Sequence, residues 1–590
     1  MLSNAIHHRL SHIYLLLISF LLALSLSIPP IQSPDEADHI KRAYLVTEGY
    51  VALAAPPGSN SGGNVDSGLL DYLNLFTGLR FKPEKTLTRD DYLNSKSVSW
   101  AHTQQFSETP GTGFYFPAIY APQATALAIG QAFDLSVDTS YRLARLLNIF
   151  VGLIILFVAF RITTPPPLII ALLILPMSLF QFMSASIDGV SNALTILAIS
   201  LFISILEKQQ RPSVKDLAFI TATLLIICTS RAQLLPLMAL SLIIAVNRRS
   251  PQALLAFSVS SVLALAWTYF AITHNVDNRS PRDLSTAQIA SNYIREPLSY
   301  WHLLVHTIST EEYYSFYAKS FLGILGHLDT ALSEKTYKLL AVFLIASALL
   351  SVAWRKQERQ IAVSVYLFAL AGLTVMLIFF ALAISWTPYP TELIYGVQGR
   401  YFTASVMLMA YGLAPKGFQW RSRQGAAAII LLATLFIFSV YKTNESLLIR
   451  FYMQNATIEQ YRVAPSPQLS PQSPLRIYPV DTKSSSSSAL KTVSIQFATY
   501  TKSLSGEAKV TFFDHDQLIR TDSLDLAKIK DNAYLTFELP DAPISEIRIS
   551  SDVDLELSTW QVAPINGDMP RTCAIYKLQS GLSWKTPGCQ

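Results

Sequence analysis

Cysteine and charge are both scarce in this chain of 590 residues. Three cysteines are too few for a disulfide-rich scaffold or a cysteine-ligated zinc site. Charged residues make up 14% of the chain, whereas a soluble protein normally carries roughly a quarter. Hydrophobic residues account for 51%, and the mean hydropathy is +0.34. The composition excludes an ordinary soluble protein and predicts a polytopic α-helical membrane protein.

Long apolar runs predict eleven transmembrane helices, because a helix needs about 20 apolar residues to cross a bilayer. Segment 217–246 also allows one broken or re-entrant element, since its two short runs flank Arg231. The predicted spans are 12–29, 141–160, 167–183, 187–206, 217–230, 234–246, 253–273, 338–353, 361–385, 396–414 and 425–441.

The basic residues between these runs predict the orientation. With a cytoplasmic N-terminus, the connections 207–216, 247–252, 354–360 and 415–424 are cytoplasmic and rich in bases, whereas the opposite short connections hold almost none, as the positive-inside rule requires. The net charge of +5 therefore needs no nucleic-acid partner. These bases are Lys208, Arg211, Lys215, Arg248, Arg249, Arg355, Lys356, Arg359, Lys416, Arg421 and Arg423.

The first apolar run has two interpretations. Arg9 and three histidines at its start resemble the flank of a signal peptide. Its end, Ile28-Pro29-Pro30-Ile31-Gln32, lacks the small residues of a cleavage site. We therefore interpret it as a retained membrane anchor.

Three regions fall outside the cytoplasm in this topology: 30–140, 274–337 and 442–590. After a Pro/Ser-rich linker at 442–489, segments with a period of two predict an extracytoplasmic β-sandwich over 490–590. Carbohydrate binding and a purely structural role are equally compatible with such a domain. Cys573 and Cys589 lie there and are candidates for a disulfide.

The stretch SPDEADHIKRAY (33–44) follows the first span and also has two interpretations. Ser33 is a good N-cap, Pro34 suits the first helical position, and Glu36 completes a capping box, so the acids need only start a helix. Spacing adds a second possibility, because Asp35, Asp38, His39 and Arg42 share one helical face. Acids at a membrane boundary can also act as a general base, orient an acceptor hydroxyl or bind a divalent cation.

Four motifs in order resemble a bacterial membrane-protein family, the domain of unknown function 2142. They are SPDEADHIKRAYLVTEG (33–49), LPMSLFQFMSASIDGVSNAL (175–194), SFLGILGHLDTAL (320–332) and VQGRYF (397–402). This family is grouped with the GT-C glycosyltransferases, which use polyprenyl-phosphate-linked sugars. The resemblance covers most of residues 12–414 and implies a GT-C-like transmembrane domain over 1–441.

The resemblance implies roles for particular residues. An acidic pair in the first outer loop is the GT-C catalytic signature, so Asp35 becomes the base or acceptor-orienting residue. Glu36 becomes its helper, or a ligand if a divalent cation such as Mg²⁺ or Mn²⁺ is used. His327 stands where a bulky aromatic is expected, which leaves its role open.

Arg400 is the candidate for binding the donor phosphate. An ionisable residue at the end of a span is expensive and usually functional, and a guanidinium fits phosphate oxygens. Snorkelling to the interface is the alternative. Its neighbours Gln398 and Tyr401 are further substrate-binding candidates, together with His39, Arg42 and His327. Arg231 is a second candidate cation, and Asp188 either caps its helix or holds an arginine in position.

Three functional hypotheses follow. The first is a glycosyltransferase in the bacterial inner membrane that moves a sugar from a polyprenyl-phosphate donor to a cell-envelope glycan or lipid-linked acceptor. The second is a transporter or flippase of a lipid-linked glycan, which predicts ionisable residues deep in several spans. Charges here gather at the outer ends instead, which favours chemistry at the surface. The third is a non-catalytic assembly scaffold.

Overall fold

The structure is a computed structural model. Most of the first predicted span, and Arg355 and Lys356 of the connection 354–360, lie outside the residues it describes. It describes residues 25–590 except 83–84, 209, 278, 280–283, 354–357, 454–460, 480–489, 501, 565–569, 580–582, 587–588 and 590.

The chain divides into two compact units, Met1–Gln454 and Asn455–Gln590. The described part of the first unit is mainly helical. Its helices are α1 (Glu36–Thr47), α2 (Ser67–Thr77), α3 (Arg89–Ser97), α4 (Ala121–Ala132), α5 (Val137–Ile162), α6 (Pro167–Leu173), α7 (Pro176–Phe182), α8 (Asp188–Glu207), α9 (Val214–Ser230), α10 (Ala239–Arg248), α11 (Pro251–His274), α12 (Thr286–Arg295), α13 (Pro297–Ser309), α14 (Glu311–Gly323), α15 (Glu334–Ser351), α16 (Glu358–Ser385), α17 (Thr403–Leu413) and α18 (Arg423–Phe451).

Five described helices are long and apolar enough to cross a membrane: Val137–Ile162, Asp188–Glu207, Pro251–His274, Gln360–Ser385 and Arg423–Phe451. They correspond to five of the eleven predicted spans. The remaining predicted spans are shorter or interrupted where the structure describes them.

Two of the interruptions have clear causes. The predicted span 167–183 is divided into α6 and α7, because Pro176 cannot supply a backbone N–H within a helix. The predicted spans 217–230 and 234–246 are separated by Arg231, whose backbone is extended, and a 3₁₀ turn at Ala232–Met238 follows it. Segment 217–246 is therefore interrupted at the residue that the sequence singled out.

Short elements between the helices bring distant segments together around α1. Strands β1 (Gly62–Asp66) and β2 (Gln104–Glu108) form one antiparallel pair, and β3 (Ile324–Leu325) and β4 (Thr330–Ala331) form another. Helix α1 packs against α4, and α5 packs along α8. A 3₁₀ turn at Gly399–Phe402 packs against α14 and leads into α17.

The second unit is rich in strands. They are β5 (Tyr461–Pro465), β6 (Leu475–Ile477), β7 (Leu490–Ala498), β8 (Glu507–Asp514), β9 (Gln517–Asp525), β10 (Tyr534–Glu538), β11 (Glu546–Ser550), β12 (Ser558–Pro564), β13 (Arg571–Thr572), β14 (Ala574–Leu578) and β15 (Ser583–Lys585).

These strands form two antiparallel sheets. In one, β13-β12-β7-β14-β15 are successive neighbours, with β10 also pairing β7 and β5 pairing β12; in the other the order is β6-β11-β8-β9. Alternate residues of both sheets, such as Val493, Ile495, Val510 and Ile547, belong to one buried hydrophobic cluster. Cys573 and Cys589 form a disulfide within this unit.

The boundaries differ from the predicted linker at 442–489. Helix α18 continues to Phe451, past the predicted end of its span, because its apolar positions Leu447 and Phe451 are buried. Strands β5 and β6 also lie within this stretch, where pairing with β12 and β11 outweighs the Pro/Ser-rich composition.

Candidate functional site

Helix α1 begins two residues later than the sequence predicts. Asp35, not Ser33, is its N-cap residue, and Glu36 is the first helical residue. Half of the predicted capping box forms, since the Ser33 N–H donates to the Glu36 carboxylate at 3.3 Å. The other half does not, because the Ser33 hydroxyl has no hydrogen-bond partner among the described residues. Helix capping therefore explains only part of the acidic stretch SPDE (33–36).

The backbone before α1 is strained at two positions. Asp35 has φ +61°, and Ile31 has φ +54°, which is unusual for a β-branched side chain. Three contacts hold the segment: the Ile31 N–H donates to Tyr141 Oη at 2.8 Å, its carbonyl accepts from His327 Nε2 at 2.9 Å, and Asp35 binds Arg400. Strained backbone that the surroundings hold in place is frequent at functional sites.

Asp35 belongs to a cluster of two acids and two arginines. Arg400 donates to Asp35 at 2.7 Å and to Asp188 at 3.5 Å, and Arg231 forms a second ion pair with Asp188. The Arg400 side chain is 3% exposed, whereas Asp35 exposes 52% of its side chain. Burial raises the pKa of Asp35, but the charge of Arg400 and the hydrogen bond from Arg400 oppose this, and the net pKa is below its ordinary value. Asp35 is thus an ionised carboxylate with an open side.

Glu36 occupies a different environment. Its carboxylate accepts two hydrogen bonds from Arg145, both 3.0 Å, one from Tyr141 Oη at 2.8 Å and one from the Ala185 N–H at 2.7 Å. The residue is completely buried. Burial raises the pKa of Glu36, and the charge and hydrogen bonds of Arg145 more than reverse this, so the net pKa is lowered. The same guanidinium also binds the carbonyls of Ile28 and Pro29.

A cavity of about 250 Å³ opens beside Asp35. Of the substrate-binding candidates, His39, Gln398 and Tyr401 line it. The Gln398 side-chain oxygen is buried and has no hydrogen-bond partner among the described residues, so it can accept a hydrogen bond from a ligand. The other lining residues are Asp38, Gly111, Thr112, Phe114, Tyr115, Asp277, Arg279, Leu382, Ser385, Trp386 and Gly396.

His39 is a neutral residue at this cavity. Its Nδ1 lies 2.8 Å from the Tyr120 hydroxyl, and its ring stacks near Tyr115. Burial lowers the pKa of His39 to about 4, although Asp35 opposes the shift. The imidazole therefore contributes a neutral hydrogen-bonding group at pH 7.

Two predicted binding residues contact protein instead of the cavity. Arg42 is buried and donates to the carbonyls of Tyr50 and Val51, which stabilises the turn after α1. His327 Nε2 forms a hydrogen bond with the carbonyl of Ile31, the residue with the strained backbone. Burial lowers the pKa of His327. Arg400 does not line the cavity itself but contacts it through Asp35, and Arg231 and Asp188 are likewise outside the cavity lining.

The sequence analysis missed Arg279 and Trp386. The Arg279 guanidinium lies over the Trp386 ring at 5.1 Å and pairs with Asp277 at 2.7 Å. Gly396 has φ +79°, and a Cβ there would collide with the indole of Trp386, so the glycine permits this position of the ring. No local motif marks these residues, and only Arg279 lies in a long connection, 274–337, of the predicted topology.

The acids do not suit a divalent cation. The described residues contain no group of three or more His, Cys, Asp or Glu side chains placed to hold a metal ion. Asp35 and Glu36 are each occupied by an arginine, and their carboxylates bind different guanidiniums. We therefore derive no step through a metal.

The helices and this cluster define a class: a helical membrane protein with an ionised acid facing a cavity. Within that class, the family described as "Predicted membrane protein (DUF2142)" matches residues 17–409, and the chain belongs to this family. Among solved structures, the crystal structure of ArnT from Cupriavidus metallidurans bound to undecaprenyl phosphate is similar. The identity is 13% over 73% of this chain and 77% of that chain, with a TM-score of 0.26. No curated protein matches the chain.

Proposed function

We propose that this protein is a membrane glycosyltransferase that moves a sugar from a polyprenyl-phosphate donor to a hydroxyl of a cell-envelope glycan or lipid-linked acceptor. The observation that carries the proposal is Asp35, an ionised acid half exposed to a cavity and backed by the buried Arg400. An acid and a cation at one cavity are the groups that a sugar transfer from a phosphate requires.

Asp35 is the general base of this reaction. Its open side faces the cavity, where it accepts the proton of the acceptor hydroxyl as that oxygen bonds to the anomeric carbon. The bond from this carbon to the phosphate oxygen breaks, and the electron pair leaves with polyprenyl phosphate. Phosphate is a good leaving group, so no general acid is needed. Glu36 holds the segment from which Asp35 projects and does not take part in proton transfer.

Arg400 is the cation that we assign to the donor phosphate. In the structure its guanidinium is covered by Asp35, so the phosphate must exchange with the Asp35 carboxylate at this guanidinium. Asp188, 3.5 Å from Arg400, keeps it oriented during the exchange. Loss of the ion pair raises the pKa of Asp35, which makes it a better base once the donor is bound. Arg279, at the far side of the cavity, is a second cation for the substrate.

The family resemblance supports the same assignment. GT-C enzymes carry their catalytic acid in the first outer loop, the position of Asp35. In this proposal the chain crosses the bacterial inner membrane eleven times, with its N-terminus in the cytoplasm. The reaction and the strand-rich unit, which we propose to be a β-sandwich, then lie on the outer face.

The test is transfer from a panel of polyprenyl-phosphate sugars by purified protein in lipid vesicles. We expect wild-type protein and Asp71→Asn, a change on the exposed surface of α2, to form product at similar rates, and Asp35→Asn to be slower by about 10²–10⁴-fold. Asparagine tolerates the left-handed backbone at this position, so the variant should fold. Equal rates for Asp35→Asn and wild type would overturn the proposal. Movement of the lipid across the bilayer without a new glycosidic bond would favour a flippase.

A further inference from the structure

Helix α13 has an apolar stripe that the described protein does not cover. Leu298, Trp301, Val305 and Ile308 are between 43% and 71% exposed. At 100° per residue they fall within an arc of about 80° on one side of the helix. Four large apolar side chains in a row on one exposed face are unusual for a surface in contact with water.

The other residues of α13 form two further faces, one polar and exposed and one buried. Ser299, His302, His306 and Ser309 are also exposed and occupy the adjoining arc of about 80°. Leu303, Leu304 and Thr307 are buried on the opposite side. Helix α13 thus has a face toward protein, an apolar face and a polar face. This is the pattern of a helix lying in the plane of a membrane interface.

The contacts of α13 with α16, a helix long and apolar enough to cross a membrane, indicate where α13 lies relative to the bilayer. The Tyr300 hydroxyl donates to the carbonyl of Met376 in α16 at 2.8 Å, and its ring packs against Phe380 at 5.3 Å. Met376 lies within about 14 Å of the end of α16 at Ser385. Leu373 and Met376 themselves expose apolar side chains on α16. The stripe therefore belongs to a helix that packs directly against a candidate span whose own exposed side chains are apolar.

We propose that α13 is an interfacial helix whose apolar stripe inserts into the lipid leaflet at this end of α16, with its histidines at the headgroups. Tryptophan and histidine suit this position, because each has an apolar body and a polar tip. The proposal does not depend on the enzymatic one.

The test is fluorescence quenching with a thiol-linked bimane in vesicles of phosphatidylethanolamine and phosphatidylglycerol. Leu298→Cys, Trp301→Cys, Val305→Cys and Ile308→Cys report on the stripe. His302→Cys and Ser309→Cys report on the polar face, and Val262→Cys in α11 is the reference for a lipid-facing site. The native cysteines do not interfere, since Cys228 is buried and Cys573 and Cys589 form a disulfide.

Brominated lipid should quench the stripe positions at least twofold more than the polar positions, and aqueous iodide should show the reverse. Equal quenching of both faces by iodide would overturn the proposal. Protection of the stripe from both quenchers, with disulfide cross-links between copies, would also overturn it and assign the stripe to a second copy of the chain.

Discussion

Asp35 and Glu36 are neighbours in sequence but belong to two different regions of the molecule. Asp35 is half exposed at a cavity and shares Arg400 with Asp188. Glu36 is buried in the protein, where five N–H and O–H groups donate to its carboxylate. Both acids have a lowered pKa, and both owe it mainly to one arginine.

The difference shows how a pair of acids can divide two tasks. Asp35 is the N-cap residue with a left-handed backbone, and Glu36 is the first helical residue, so the two side chains point to different partners. One carboxylate can therefore be fully satisfied in the interior while the other keeps an open side. The fully satisfied acid holds the strained backbone in place, and the open acid remains able to accept a proton.

The largest expected effect is on transfer by Asp35→Asn. Removal of a general base typically lowers kcat by about 10²–10⁴-fold. Arg400 keeps Asp188 as a partner, so the midpoint of thermal unfolding should change little. Initial rates and thermal unfolding of the same preparation measure both quantities. A large loss of stability in this variant would contradict the division of tasks.

Glu36→Gln should lower the stability of the protein strongly, in contrast to Asp35→Asn. It leaves Arg145 buried without its carboxylate, which costs about 3–5 kcal/mol of stability. Thermal unfolding in detergent should show a clear decrease in the midpoint. A double variant with Arg145→Met should recover part of the loss, because no unpaired buried charge remains. An unchanged midpoint in Glu36→Gln would show that the buried pair is not structural.

Gly399→Ala should affect the Asp35–Arg400 contact and not the surroundings of Glu36. Its effect should be smaller than those of the two preceding variants. A Cβ at this position would collide with backbone atoms of Tyr317 and Phe321 in α14, so the turn carrying Arg400 must move, at a cost of about 1–3 kcal/mol. Gly372→Ala in α16 is the matched control, since a Cβ there meets nothing within 4 Å. Donor KM should rise only for Gly399→Ala, and an equal KM in both variants would contradict this role of the turn.

The smallest expected effect is that of pH between about 5.5 and 7.5. The pKa of Asp35 is below its ordinary value of 3.8 and that of His39 is about 4, so neither group titrates in this range. Activity as kcat/KM, and the stability contributed by the Asp35–Arg400 pair, should fall only as acid protonates Asp35. A decrease centred near pH 6.5 would show that His39 has an ordinary pKa and is not the neutral residue described above.

The sequence alone singles out Asp35, Arg400 and Asp188, but not their association. Asp35 and Arg400 are 365 residues apart, and no local pattern shows that they meet. Gly399 permits close approach of the turn that carries Arg400 to α14, a tertiary contact that no local pattern marks. Periodicity predicted the long spans well, because burial in lipid depends on length and hydropathy. It failed at Pro176, where the loss of a backbone hydrogen bond divides the predicted span 167–183.

The surroundings of Glu36 imply an order of assembly during synthesis. Its carboxylate accepts from Ala185, which is 149 residues further along the chain. At typical elongation rates of about 5–20 residues per second, Glu36 must wait roughly 7–30 s for this partner to be made. Its ion-pair partner Arg145 is 109 residues further along, so the carboxylate stays unpaired until that residue has been made. The opening segment of the chain therefore cannot complete the contacts of Glu36 before residue 185 has been synthesised.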